Sequence, residues 1–435
     1  MRILVIGVGP WNDIQSGNNI MTNWFTGYDA EFANIYVHSG SPCNKLCESY
    51  LLVSDEMMLK SFLGRKAGVE RKIKFSEQLR FQEKEGLYLN KTGIERKAKE
   101  LPRNIAFVIK DLVWLLGRID KVLIESYIER FNPDIIFCHH VFGMNFWRIE
   151  KYVSSITNVP MVAFTGDSEV SLRKFSLSPL FWIRQITLRC LFRNHVKRFS
   201  HYFTFSEEQA KMYQLKYGIH ASTLYKCVDS PSVFYAKPVG CPIRLVYAGN
   251  IIYNRWRTIG AIADALDEIN KDGCKVLLDI YTNTALTNKM SHRLSNKQWL
   301  TTHGRVAPNE LDNIYKKSDI ALHIESFDLK NRLDTKDSFS TKIVDLMNST
   351  CAIMAICWEK HNGFQYLKRE DAAICVSDVH LIEQVLRNLT TDTSIIQEYA
   401  LKAWACGLRN HSRVRIHNQI TEAFDDAIKE FKFRK

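Results

Sequence analysis

Short apolar runs recur along the chain, each followed by a stretch of helical spacing or by a polar loop. In the first half these runs are 3–6, 32–37, 135–138, 161–165 and 202–205. Their length and continuity predict buried parallel strands. Residues 207–217 then read as a helix stopped by Gly218, and 222–225 as one more strand. A second alternation follows, with strands predicted at 244–248, 276–281, 299–303, 320–324, 352–356 and 373–376. Its helices are predicted at 258–270, 310–317, 341–349, 380–389 and 394–405. A last helix, 413–431, has no strand after it. Strands alternating with helices in both halves predict an α/β protein with two doubly wound parallel sheets.

Between the two alternations, 228–242 holds three of the ten prolines and no clear period, which predicts a linker. The length of 435 residues exceeds what one core usually fills. The expected organisation is a first domain over 1–235, a second over 236–412 and a C-terminal helix over 413–435 that packs back on the first.

With 46% hydrophobic and 24% charged residues the composition is that of an ordinary globular protein. The opening Met1-Arg-Ile-Leu-Val-Ile-Gly7 runs straight into a Gly-Pro turn with no cleavage pattern, so it reads as a buried strand and not as a signal peptide. The most apolar later stretch, 177–192, is interrupted by Arg184 and Arg189, so no transmembrane helix is expected. Eleven cysteines without a CxxC pair signal neither a disulfide framework nor a structural zinc, and the expectation is reduced thiols in a cytoplasmic protein. The formal charge of +12 calls for an anionic partner: a nucleic acid, a phospholipid surface or a phosphorylated substrate. Arg184, Arg189, Arg193, Lys197 and Arg198 interleave with Trp182, Ile183, Ile186, Leu188, Leu191 and Phe192. That pattern fits either an amphipathic helix on a membrane or a helix packed on its own domain with a solvated basic face. No interleaved aromatic and basic recognition motif speaks for nucleic acid.

Three segments carry candidate chemistry. The first, Gly7-Val-Gly9-Pro-Trp-Asn12, lacks the third glycine of a dinucleotide fingerprint. The nearby Gly17 and Asn18 lie in the same loop, where backbone N–H groups can approach an anion or simply turn the chain. The second, Val246-Tyr-Ala-Gly249-Asn250-Ile-Ile-Tyr-Asn-Arg255, joins a strand to a helix through a glycine loop and places a cation where α/β sheets bind phosphates. The third is Asp337-Ser-Phe-Ser340-Thr341-Lys342-Ile-Val-Asp345. Its hydroxyl residues can cap a helix whose N-terminus would hold a diphosphate, and Lys342 and Asp345 share one face.

The order of these segments resembles the retaining family-four glycosyltransferases of GT-B fold (glycosyl transferases group 1), over most of the chain. Gly249-Asn250 and Arg255 match that family's loop opening the second domain. Ser318-Asp-Ile-Ala-Leu-His-Ile-Glu-Ser326 matches its following strand, and Asp337 and Asp345 match the spacing of its Glu-x7-Glu signature. Phe203-Thr-Phe-Ser206-Glu-Glu and Tyr225-Lys-Cys-Val-Asp229 look like two first-domain and linker segments of the same family. The departures are aspartates for both signature glutamates, Asn250 for an arginine, and Gly166-Asp167 for a His-Asp.

The resemblance implies two Rossmann-like doubly wound domains facing across a cleft, and transfer of a sugar from a UDP- or GDP-linked donor to a glycan, glycolipid or lipid-linked acceptor. It implies that Asp337 contacts the donor sugar, Asp345 the ribose, and Arg255 and Lys342 the diphosphate; Gly17, Asn18, Gly249, Asn250, Arg305, Val306, Ser340 and Thr341 are the further donor-binding candidates. Glu325 competes for the sugar contact, and Asp167 is the candidate for orienting the acceptor. No Asp-x-Asp motif is present, so no metal and no cofactor are expected. The expected place is the cytoplasm, with basic faces suited to the inner membrane surface. A sugar-nucleotide epimerase of the same architecture and a non-catalytic partner protein are the alternatives.

Overall fold

The structure of the chain is a computed structural model that describes residues 1–13, 20–79, 102–166, 171–172, 174–229, 233–295 and 297–433. Two compact units divide it. One comprises Met1–Leu172, Ser176–Leu224 and His417–Lys435, and the other is built on Tyr225–Ile416. The division falls at Leu224 and Tyr225, ahead of the proline-rich segment. That segment is held to the second unit: Phe234 meets the Trp404 ring at 5.7 Å, Lys237 donates to the Tyr315 carbonyl at 2.8 Å, and the Gly240 N–H donates to Asp319 at 3.1 Å.

The first unit carries β1 (Arg2–Gly7), β2 (Glu31–Tyr36), β3 (Cys47–Leu52), β4 (Val69–Lys72), β5 (Ile135–His139), β6 (Met161–Thr165), β7 (Phe199–Thr204) and β8 (Ala221–Thr223). They form one sheet in the order β4-β3-β2-β1-β5-β6-β7-β8, parallel except for the β3–β4 pair. The buried runs 3–6, 135–138 and 161–165 lie where continuous apolar residues predict them, because an interior parallel strand is covered on both faces. Strands β3 and β4 escape that reading. Cys47-Glu-Ser opens β3 with polar residues, and every residue of β4 (Val-Glu-Arg-Lys) is exposed, as suits an antiparallel edge.

The helix Arg413–Phe433 closes the chain, and its part from His417 onward belongs to the first unit. His417 hydrogen-bonds the Trp24 carbonyl at 2.9 Å, Tyr28 meets Thr421 at 3.0 Å, and Phe424 packs edge-on against Phe137.

The second unit carries β9 (Ile243–Ala248), β10 (Val276–Tyr281), β11 (Leu300–His303), β12 (Ile320–Ile324), β13 (Ala352–Ile356) and β14 (Ile374–Val376), all parallel in the order β11-β10-β9-β12-β13-β14. The chain winds outward from β9 to one edge, then returns to β12 and winds to the other. The order therefore reverses between β9 and β12, and the carboxyl ends of these two strands are the general ligand position of such sheets. Asp319, just before β12, accepts from the N–H groups of Gly240 and Arg244, which fixes the start of β9. Among the described residues no helix is long and apolar enough to cross a membrane.

Candidate donor-binding site

Both strands at the reversal end in chemistry. After β9 come Gly249 and Asn250, and after β12 come Glu325 and Ser326. Arg255, the first residue of the helix Arg255–Ile269, donates twice to Glu325, from Nε at 3.0 Å and from Nη2 at 2.7 Å. Glu325 is nearly fully buried, its side chain 4% exposed, so this two-point pair offsets a desolvation that an unpaired carboxylate could not bear.

The helix starts from an unusual backbone. Tyr253 and Asn254 both have positive φ, 56° and 59°, a conformation that costs side-chain-bearing residues energy unless neighbours hold it. Asp328 supplies the hold. It accepts from Asn254 Nδ2 at 3.1 Å, from Asn331 Nδ2 at 2.8 Å and from the Ser326 hydroxyl, while Asn331 also donates to the Tyr253 carbonyl at 2.9 Å. Burial alone would raise the Asp328 carboxyl, but Ser326, Asn254, Asn331 and the Asn331 backbone bring it down to about 2.

Lys342 reaches the same place from the other side. Its ammonium rests against Gly249, where a β-carbon would collide with Nζ, and lies 5.9 Å from the centroid of the Tyr247 ring. Glycine at 249 leaves room for that close approach. Burial, and then the Arg255 charge, lower the Lys342 pKa to about 8, against the opposing pull of Glu325 and Asp345. Glu325 pairs with Arg255 and Asp345 with Lys226, which leaves the Lys342 charge without a carboxylate of its own and favours an anionic ligand.

The Asp337–Asp345 segment differs from its expected form. The helix expected over 341–349 is present but shorter, Lys342–Met347, and a further short helix, Leu329–Thr335, precedes the segment. Thr341 at the N-cap has a helical φ of −58° and makes no side-chain cap hydrogen bond, and the Ile343 and Val344 N–H groups bond back to the Ser340 and Thr341 carbonyls. Thr341 thus begins the helix without a side-chain cap, and the first turn is tightened by these backbone bonds. Asp345 faces Lys226, with which it forms an ion pair; burial raises its carboxyl and Lys226 opposes that rise. Asp337, half-buried, sits near enough to His361 for its charge to act on that ring.

Other expected residues lie apart from this cluster or beyond description. Arg305 is exposed and Val306 half-buried in the loop after β11, the edge strand, with β10 between it and β9. Gly17, Asn18 and Asp167 lie outside the described residues. Gly7-Val-Gly9 leads into Asn12, which is buried and donates to the Ser41 carbonyl at 2.7 Å, so that turn is braced against the loop after β2. Arg184 does not join an open basic stripe: it forms a two-point pair with Asp111 and lies over Phe107. His140 is structural. With His195 it brackets the buried Glu150, at 3.0 and 2.7 Å, and its other nitrogen accepts from Trp147. Burial would raise Glu150, yet the two imidazoles bring it down to about 2.

Lys226, Asp328, Asn254 and Asn331 were not singled out in the sequence. Lys226 and Asn254 meet partners on other elements, which no local spacing marks; Asp328 and Asn331 pair locally at the start of the helix Leu329–Thr335, but their reach to Asn254 and Tyr253 is tertiary.

No family model matches the sequence, and no curated protein matches it. Solved structures do. The sucrose-phosphate synthase from Thermosynechococcus elongatus superposes with a TM-score of 0.62 at 9% identity, covering 99% of this chain and 100% of that one. The trehalose-6-phosphate protein from E. coli bound with UDP-2-fluoro glucose gives 0.60 at 10% identity, with 98% and 99% covered. The chain has the GT-B fold. The pneumococcal O-GlcNAc transferase GtfA in complex with UDP and GlcNAc is similar over less, with a TM-score of 0.51, 11% identity and 72% of this chain covered, and this chain spans 61% of that one. At such identities the GT-B likeness carries architecture, and the site is argued from its own residues.

Proposed function

We propose that the chain is a glycosyltransferase that moves a sugar from a UDP- or GDP-linked donor to a glycan, glycolipid or lipid-linked acceptor, with retention. The observation that carries this reading is the Lys342 ammonium against Gly249, within electrostatic reach of Arg255, where the strand order of the second unit reverses. The GT-B neighbours holding UDP or a UDP-sugar support the donor class.

Cleaving a sugar–diphosphate bond builds negative charge on the leaving group. Fixed cations lower the barrier most where that charge appears. In this reading the Lys342 ammonium takes the diphosphate, while Arg255, oriented by Glu325, adds its charge from a fixed position. Asp345 meets the ribose with Lys226 setting its orientation, and Asp337 meets the donor sugar. The leaving phosphate accepts the acceptor's proton, so the transfer itself requires neither a separate protein base nor a metal. Asp167 orients the acceptor in the first unit, and Arg305 and Val306 contribute to the donor's periphery. Basic faces of the first unit suit an anionic membrane surface carrying a lipid-linked acceptor.

The test is calorimetric titration with UDP- and GDP-sugars, followed by nucleotide release in the presence of glycan and lipid-linked acceptors. Lys342→Ala should weaken donor binding more than about tenfold, as expected for a lost charge-assisted phosphate contact. Wild-type affinity in that variant would remove the site from contention. Epimer formation without acceptor would point to an epimerase, and absence of affinity for every nucleotide sugar to a non-catalytic partner.

A further inference from the structure

Behind the Glu325–Arg255 pair lies a second cluster that the transfer chemistry does not use. His323 is on β12, Cys357 directly follows β13, and His361 precedes the helix Asn362–Arg369. Strands β12 and β13 pair in register with His323 opposite Ala355 and Ile324 opposite Ile356, which brings Cys357 to the His323 end. One ligand atom from each of the three residues lies within 4.8 Å of the other two, and all three residues are buried.

Their hydrogen bonding is incomplete. His323 Nε2 and both ring nitrogens of His361 are buried with no hydrogen-bond partner. Cys357 Sγ has only a long contact, 3.8 Å, to the His323 carbonyl. Buried polar atoms are ordinarily satisfied, and leaving one without a partner is costly. The chain nevertheless keeps space for the His361 ring: a β-carbon on Gly363 would stand 3.2–3.3 Å from its Cε1 and Nδ1 atoms. The bracketed Glu150 of the first unit is the contrast, since there the two imidazoles and the carboxylate satisfy one another.

We propose that His323, Cys357 and His361 bind one zinc ion that ties β12, β13 and the 358–361 loop together behind the donor site. Two neutral imidazoles and a thiolate suit that borderline-soft ion, with water as fourth ligand. On binding, the Cys357 thiol gives its proton to solvent and the sulfur bonds the metal. Of the charged groups around the cluster, Glu325 and Asp337 favour a cation, and Arg255 and Lys342 oppose one. The thiolate lowers the ion's net charge and tips this balance. Cys357 and His361 form a C-x3-H pair on the loop after β13, but the third ligand, His323, lies on β12, so residue spacing alone does not complete the site.

The inference is independent of the donor reading, since it is tested with no nucleotide sugar present. The full-length protein, stripped with chelator, is titrated with zinc and, separately, with cobalt. We expect one equivalent bound, a rise in melting temperature, and a cobalt spectrum with a thiolate-to-metal charge-transfer band and tetrahedral d–d bands. Cys357→Ser should abolish the charge-transfer band and weaken zinc binding more than about tenfold. Combined Cys190→Ser, Cys241→Ser and Cys274→Ser, which removes the exposed thiols, should leave both unchanged. Absence of the band in the wild-type protein, or its loss on removing only the exposed thiols, overturns the proposal whether or not Cys357→Ser folds.

Discussion

Lys342 concentrates the residue-scale argument because one buried ammonium serves two opposed ends. Its folded pKa of about 8 lies below the ordinary lysine value of 10.5, so folding disfavours its charged form. The resulting loss of stability is full below pH 8 and disappears as pH rises past the unfolded value. Lys342→Met should therefore make the protein more stable at pH 7, by on the order of 1–3 kcal/mol, with the advantage over wild type fading by about pH 10.5. Urea melts at several pH values check it. The same titration works against a phosphate ligand: donor affinity should fall as pH climbs through 8 in wild type and stay low and flat in Lys342→Met. An affinity unchanged between pH 7 and 9.5 would separate Lys342 from the ligand. The residue was legible in the sequence as a cation near a helix start. Its contact with Gly249 was not, because 93 positions separate the two and only the sheet order joins them.

At the scale of elements, the loop 249–254 and the helix Leu329–Thr335 act as one piece through Asp328. That carboxylate caps the helix by accepting from the Asn331 N–H at 3.1 Å and also holds the Asn254 side chain. Asp328→Ala should cost about 1–3 kcal/mol through the lost cap and the abandoned donors. Because Arg255 follows directly on the strained pair Tyr253–Asn254, donor affinity should fall as well, although Asp328 meets no phosphate in the proposed site. Denaturant melts and calorimetry measure the two effects; a stability loss with unaltered affinity would show that the loop keeps its shape without Asp328. Most strands of both sheets could be read from their apolar runs, since burial on both faces leaves little freedom of composition. The segment between β12 and β13 was harder. The helix at 341–349 was legible and is present as Lys342–Met347, whereas Leu329–Thr335, capped by Asp328 and ended by the turn at Lys336 and Asp337, was not read from the spacing.

For the whole molecule, two units of separate core give the proposed donor site an address. Hydrogen exchange with a saturating UDP- or GDP-sugar should slow amides in 249–255 and 337–345 of the second unit, since a bound ligand stabilises the state it selects. Protection confined to the first unit would overturn the placement of the donor.

Period, length and punctuation by themselves determined the class of the fold and most strand positions, because strands covered on both faces must be apolar throughout and the polar connections between them betray the alternation. They also marked Gly249, Arg255 and Lys342, each beside the carboxyl end of a strand or the start of a helix. Tertiary structure alone decided the pairings: Glu325 with Arg255, Lys226 with Asp345, Asp328 with Asn254, and His323 with Cys357 and His361. Those partners stand on different elements, and which elements become neighbours depends on the strand order β9-β12-β13, which no local pattern in the chain encodes.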